Sequence, residues 1–152
     1  MVRKARIDEI DRINVLRKQV NDIHVEGRPD IFKPGFCKEL QDHAIDMINS
    51  DWQDIFVCER NSEIAGIISV QYIHKNESPF NKEHSFLHIE EMIVDEQYRR
   101  QGVASELMNF AKEEANRREL PRVVLDVWSF NDEAVAFYES IGMKEFRKFM
   151  EI

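Results

Sequence analysis

The stretch His88–Ala115, HIEEMIVDEQYRRQGVASELMNFAKEEA, decides how the chain is read. With the residues just before it, Ser85–Val94 collects Phe86, Leu87, Ile89, Met92, Ile93 and Val94, side chains that suit a pleated surface, so a strand is expected there. From Gly102 to Arg118 the apolar residues Ala104, Leu107, Met108, Ala111 and Ala115 form one stripe at a period of about 3.6, which predicts a helix. Between the two lies Asp95–Gly102, polar, with Arg99 and Arg100 adjacent and a glycine at the helix entrance.

A helix start leaves backbone N–H groups without intrahelical partners and carries a partial positive charge. Gly102 removes the Cβ that would hold a ligand off the backbone, Ala104 is nearly as small, and the two arginines add positive charge. This is a credible cradle for a phosphate or diphosphate. A plain strand-to-helix turn with two solvated arginines would use the same residues, and the local sequence leaves both readings open.

The wider pattern separates them. Arg99-x-x-Gly102-x-Ala104, after a strand and opening a helix, resembles the acetyl-CoA motif of the GNAT superfamily of N-acetyltransferases, Gln/Arg-x-x-Gly-x-Gly/Ala. A second segment similar to that family, Asn131-x-x-Ala134-x-x-Phe137-Tyr138-x-x-x-Gly142-Met143, follows at the family's distance, with a strand candidate, Val123–Val127, between. The resemblance runs roughly from Val2 to the C-terminus and is strongest after Phe86. Arg100 stands where many members have glycine, and Ala104 replaces the more usual second glycine.

With 152 residues, 43% hydrophobic and 33% charged, the chain fits one soluble domain spanning 1–152 with a sizeable core. The longest apolar run, Ile64–Val70, is far too short for a membrane span. The N-terminal residues MVRKARIDEIDRIN hold no apolar signal core, so the cytoplasm is the expected compartment. Cys37 and Cys58 have neither metal-ligand spacing nor a disulfide framework and are expected as reduced, buried thiols; no metal is expected. A net charge of -8 argues against nucleic acid and favours a cationic acceptor such as an amine.

Along the chain, Val2–Ile7 reads as a strand. Asp8 offers an N-cap to a first helix with its stripe at Ile10, Ile13, Leu16, Val20 and Ile23, and His24–Pro34 reads as loop. Phe36, Leu40, Ala44, Ile45 and Ile48 suggest a second helix, Ile55–Cys58 a buried strand, Asn61-Ser62 a hairpin turn, and Ile64–His74 a long strand. After the Lys75–His84 loop and the central stretch come Val123–Val127, a helix Asp132–Ile141 and a last strand from Lys144, whose free edge would suit a homodimer. The expected class is α/β, strictly α+β: a mixed, mostly antiparallel sheet with one parallel pair from the Ser85–Val127 crossover and helices on both faces.

The resemblance implies a GNAT-like sheet whose parallel pair splays open, with acetyl-CoA as co-substrate. Carried over by position, Met92, Ile93 and Val94 would offer backbone groups to the pantetheine arm, while Arg99, Arg100, Gln101, Gly102, Val103, Ala104 and Ser105 would wrap the diphosphate. Tyr138 falls where that family protonates the departing thiolate, and Asn131 would cap its helix, bind the coenzyme, or both. Transfer to an amine requires loss of the ammonium proton, and three strand residues match sites where family members place a base. Glu90 ranks first, acting through water, with His88 beside it on one face shared with Met92 and Val94, and Asp126 in an otherwise apolar strand. Tyr72, Trp128 and Phe36 are candidates to line the acceptor cleft. The implied reaction is direct acetylation of a small-molecule primary amine. A peptide N-terminus or lysine, or a non-catalytic acyl-CoA-binding module, are the alternatives.

Overall fold

In the computed structural model, which describes residues 1–152, five strands form one sheet in the order β1-β2-β3-β4-β5: β1 Val2–Lys4, β2 Gln53–Arg60, β3 Glu63–Lys75, β4 His84–Val94 and β5 Val123–Leu125. Neighbours pair antiparallel from β1 to β4, and β4 pairs parallel with β5. Four helices cover it: α1 Ile10–Gly27, α2 Lys38–Ile48, α3 Val103–Arg117 and α4 Asp132–Ser140. This is the mixed α+β sheet that the sequence predicts.

The buried run Ile55-Phe56-Val57-Cys58 on β2 has no polar alternation because both faces of the sheet are covered. Ile55 and Val57 pack with Ile13 and Leu16 of α1 and Ala44 and Met47 of α2. Phe56 and Cys58 pack on the opposite side with Leu107, Met108, Ala111 and Ala115, the predicted stripe of α3. Asn61 and Ser62, at φ 51° and 64°, make the hairpin turn between β2 and β3, both in the left-handed region that matches strand twist.

Gly66 on β3 positions α3. A Cβ there would lie 2.8 Å from the Ile93 carbonyl and 2.8 Å from a methyl of Val103, so only glycine lets the start of α3 settle against the β3–β4 hairpin. Asp95 ends β4 by accepting the Gln97 N–H and pairing with Arg12 of α1. Burial works to raise its pKa, but these partners outweigh it and hold the carboxyl below its usual range.

Several expectations are corrected. Residues 144–152 form no strand, and Phe146, Phe149, Met150 and Ile152 are exposed. The edge on that side of the sheet is therefore β5, with β1 at the other. β5 stops at Leu125, so Asp126 and Val127 lie outside the sheet. Helix α1 continues through His24 to Gly27, because Gly27 allows the Phe130 ring to sit against the backbone: a Cβ would come within 2.3 Å of it. Asp8 caps nothing; a short 3-10 turn, Ile7–Glu9, precedes α1. Cys58 is buried but Cys37, before α2, is exposed.

Candidate active site

Parallel pairing between β4 and β5 covers only Leu87↔Val123, His88↔Val124 and Ile89↔Leu125. Beyond Ile89, β4 runs on to Val94 while the other chain leaves the sheet at Leu125, so the two strands stop pairing. Met92, Ile93 and Val94 stand in register with Ile68, Ile67 and Gly66 of β3. No strand pairs with this end of β4 on the side away from β3, and the backbone groups of successive residues face alternately towards β3 and away from it.

From the unpaired end of β4 the chain passes through residues 95–101 to the start of α3. Gly102 is its N-cap at φ 80°, ψ 3°, and no side chain caps the helix, so the N–H groups of Val103, Ala104 and Ser105 point outward unsatisfied. Nothing lies within 4 Å of a Cβ built on Gly102. Arg100 is also left-handed, at φ 59°. This is the physical content of an arginine where glycine is commoner: the turn accepts it at some conformational cost. Arg99 stands close enough to Asp95 to lower that group's pKa, but Asp95 is already paired with Arg12. These residues fit a diphosphate: open space, free N–H groups, a helix N-terminus and cations.

A bulge in β4 rearranges the catalytic candidates. Ser69 pairs with Glu91 and Val70 with Ile89, leaving Glu90 as the extra residue. Period-two counting from His88 therefore fails past Glu90. Met92 and Val94 turn to the α3 core. His88, Glu90 and Glu91 gather instead on the α1/α2 face, Glu91 reaching Arg17 of α1 at 2.9 Å. Arg17, 4% exposed, is held further by the Leu40 carbonyl and Asn14, and lies over the Phe36 ring.

Five polar groups connect across this face. His88 Nδ1 lies 3.1 Å from Gln71 Oε1, and Gln71 Nε2 donates to Glu90 at 3.1 Å. Glu90 is 3.6 Å from His43 of α2, and His88 Nε2 is 3.6 Å from Asp126. Asp126 is thus not the carboxylate trapped in a covered strand that the sequence suggested: its side chain is 75% exposed beyond the end of β5. Gln71 and His43 escaped the sequence reading. A lone glutamine at an inward position of the long β3 was the available signal.

Tyr138, on α4, packs against the α3 core. Burial alone raises its pKa, which keeps the phenol a proton donor. Asn131 is the N-cap of α4, accepting the Ala134 N–H at 3.3 Å. Of the acceptor-cleft candidates, Tyr72 lies elsewhere: its hydroxyl bonds Asp54 and Glu114, and Arg118 covers its ring at 3.5 Å. Trp128 joins a cluster with Phe32, Phe130 and His24 between the α1–α2 and β5–α4 loops. Arg28 lies over Trp128 and bonds Asp30 and Glu151, tying the tail to this cluster. No helix is long and apolar enough to cross a membrane.

A family model described as the acetyltransferase (GNAT) family matches residues 18–143. A search among curated proteins found no match. Among solved structures, a Bacillus halodurans protein crystallised as a tetramutant superposes with a TM-score of 0.95 over 100% of this chain and 98% of its own, at 22% identity. An aminoglycoside N-acetyltransferase in complex with CoA gives 0.79 over 100% and 92%, at 14% identity. An aminoglycoside acetyltransferase from an uncultured soil metagenomic sample, in complex with sisomicin, gives 0.70 over 100% and 93%, at 14%. At these identities the superpositions speak for the fold alone.

Proposed function

The chain belongs to the GNAT acetyltransferase family, and from that premise we propose that it transfers acetyl from acetyl-CoA to a primary amine of a small molecule, by direct attack within a ternary complex. The observation that carries this reading is the uncapped, open start of α3 in line with the cleft between β4 and β5.

Acetyl-CoA, when bound, supplies an activated thioester. The N–H groups of Val103, Ala104 and Ser105, with Arg99, Arg100, Gln101 and Gly102 around them, hold its diphosphate. Those backbone groups of Met92, Ile93 and Val94 that face away from β3 orient the pantetheine arm as an added strand would be held. An ammonium acceptor must first lose a proton. His88 takes it: its Nε2 is directed towards the β5 side of the cleft, whereas Glu90 is directed towards β3 and α2. This order reverses the ranking from sequence and keeps both groups in the machinery, with Asp126 beside the imidazole once it is charged. Tyr138 returns a proton to the leaving thiolate, and Asn131 holds the helix that carries it. The carboxylates Glu90 and Asp126 and the net charge of -8 favour a cationic acceptor. A homodimer is part of the same proposal, tested by sedimentation.

Thiol release from acetyl-CoA against a panel of amines, amino acids and peptides tests the function. Release with small amines is expected. Release only with peptides would point to a protein acceptor, and coenzyme binding without release to a non-catalytic module.

A further inference from the structure

We infer that Gln71 is a positioning residue that fixes the tautomer of His88, an inference that rests on the acetyltransferase reading and deepens it. An ionised carboxylate only accepts hydrogen bonds, so the Gln71 group 3.1 Å from Glu90 is the amide NH2. That fixes the other end: the atom 3.1 Å from His88 Nδ1 is the Gln71 carbonyl oxygen, which also only accepts. Nδ1 must therefore carry the hydrogen.

A neutral imidazole protonated at Nδ1 has its lone pair on Nε2. In His88 that nitrogen is the one aimed towards Asp126 and the cleft. The opposite tautomer, which free histidine side chains favour, would place an N–H there and leave no site for the acceptor's proton. When Nε2 takes a proton, Nδ1–H stays bonded to Gln71 and the new N–H faces the Asp126 carboxylate 3.6 Å away, so the charged form gains a partner without reorganisation. Glu90 thus acts through Gln71: its carboxylate sets the amide, and the amide sets the ring. His43, 3.6 Å from Glu90 on α2, and Arg147, 3.9 Å from Asp126, are the remaining titratable or charged neighbours of this chain of groups.

Backbone pairing supports the arrangement independently of side-chain orientation. Gln71 and His88 are register partners across β3 and β4, the closest placement two strand residues can have. Glu90, two residues on from His88, shares its face by plain alternation, and the bulge there brings Glu91 to the same face.

The test reads the ring nitrogens directly, by long-range 1H–15N correlation spectra of His88 in the native chain without substrate. The neutral ring is expected as the Nδ1–H tautomer. In Gln71→Leu, which has no acceptor, the preference should shift to Nε2–H; in Gln71→Glu, whose carboxylate can still accept from Nδ1–H, it should be retained. Turnover should fall at least tenfold in Gln71→Leu with the KM for acetyl-CoA unchanged. Nε2–H as the main tautomer in the native chain, or an unchanged tautomer in Gln71→Leu, would overturn the inference. The native spectrum alone decides if the variant fails to fold. Because the spectra need no turnover, failure to find acetyl transfer would count against the acetyltransferase reading separately.

Discussion

Replacing Gly102 by alanine separates a residue's part in folding from its part in binding. Gly102 sits at φ 80°, ψ 3°. That left-handed conformation costs a residue with a Cβ about 1–2 kcal/mol. Nothing in the protein lies within 4 Å of the added methyl, so folding loses only that conformational contribution. For a domain of this size the loss lowers Tm by roughly 2–8 °C. Gly142 provides a matched control, with φ 91° and the same open surroundings. Gly142→Ala should therefore lose about the same stability. Binding is where the two part. The methyl at position 102 stands between the helix N–H groups and the diphosphate, and losing one hydrogen bond to a charged group costs roughly 1.5–3 kcal/mol. In titration calorimetry with coenzyme A this is a rise in Kd of about 10- to 150-fold for Gly102→Ala. Gly142→Ala should bind as the native chain does. Equal affinity in the two variants, with equal loss of Tm, would refute the cradle.

Tyr138→Phe should reduce turnover roughly 100-fold, the low end of general-acid contributions, with little change in coenzyme affinity; unchanged turnover removes Tyr138 from the mechanism. Burial holds the His24 imidazole below its ordinary pKa. Its neutral form therefore contributes stability that is complete above about pH 6.5 and is lost as pH falls from there towards the folded-state value. His24→Phe should flatten the dependence of Tm on pH between about 6.5 and 5, and an unchanged slope would contradict the burial argument. Glu91→Gln strips the counter-charge from the buried Arg17. Urea denaturation should show a loss of about 3 kcal/mol; less than about 1 kcal/mol would mean that Leu40 and Asn14 suffice to hold the guanidinium.

Helix α3 and strand β4 were legible because their signals are periodic and local: an apolar stripe on one, a β-branched run on the other, and Gly102 at the join. Asn131 was legible as a cap for the same reason. What escaped depends on contacts between distant residues. The bulge at Glu90 has no marker in β4 itself; it is defined by what Ser69 and Val70 face, and it reverses the side on which Glu91, Met92 and Val94 fall. The end of β5 at Leu125 is set by divergence from β4, not by the apolar Val127 that made the strand look longer. The extension of α1 through Gly27 depends on the Phe130 ring arriving from the far end of the chain, which turns an apparent helix breaker into a packing site. The tail from Lys144 has strand-like composition but no adjacent edge that bonds to it. Gln71 could have been suspected as a polar residue facing inward on a long strand, but its partners became visible only with the register of β3 and β4.

The central claim is that the start of α3 grips the diphosphate of a coenzyme whose thioester arm lies between β4 and β5. Titration calorimetry of the native chain with coenzyme A, alongside pantetheine, which lacks the diphosphate, tests it most directly. One equivalent of coenzyme A should bind, with pantetheine at least tenfold weaker. No heat of binding with coenzyme A, or equal affinity for the two, would contradict the account.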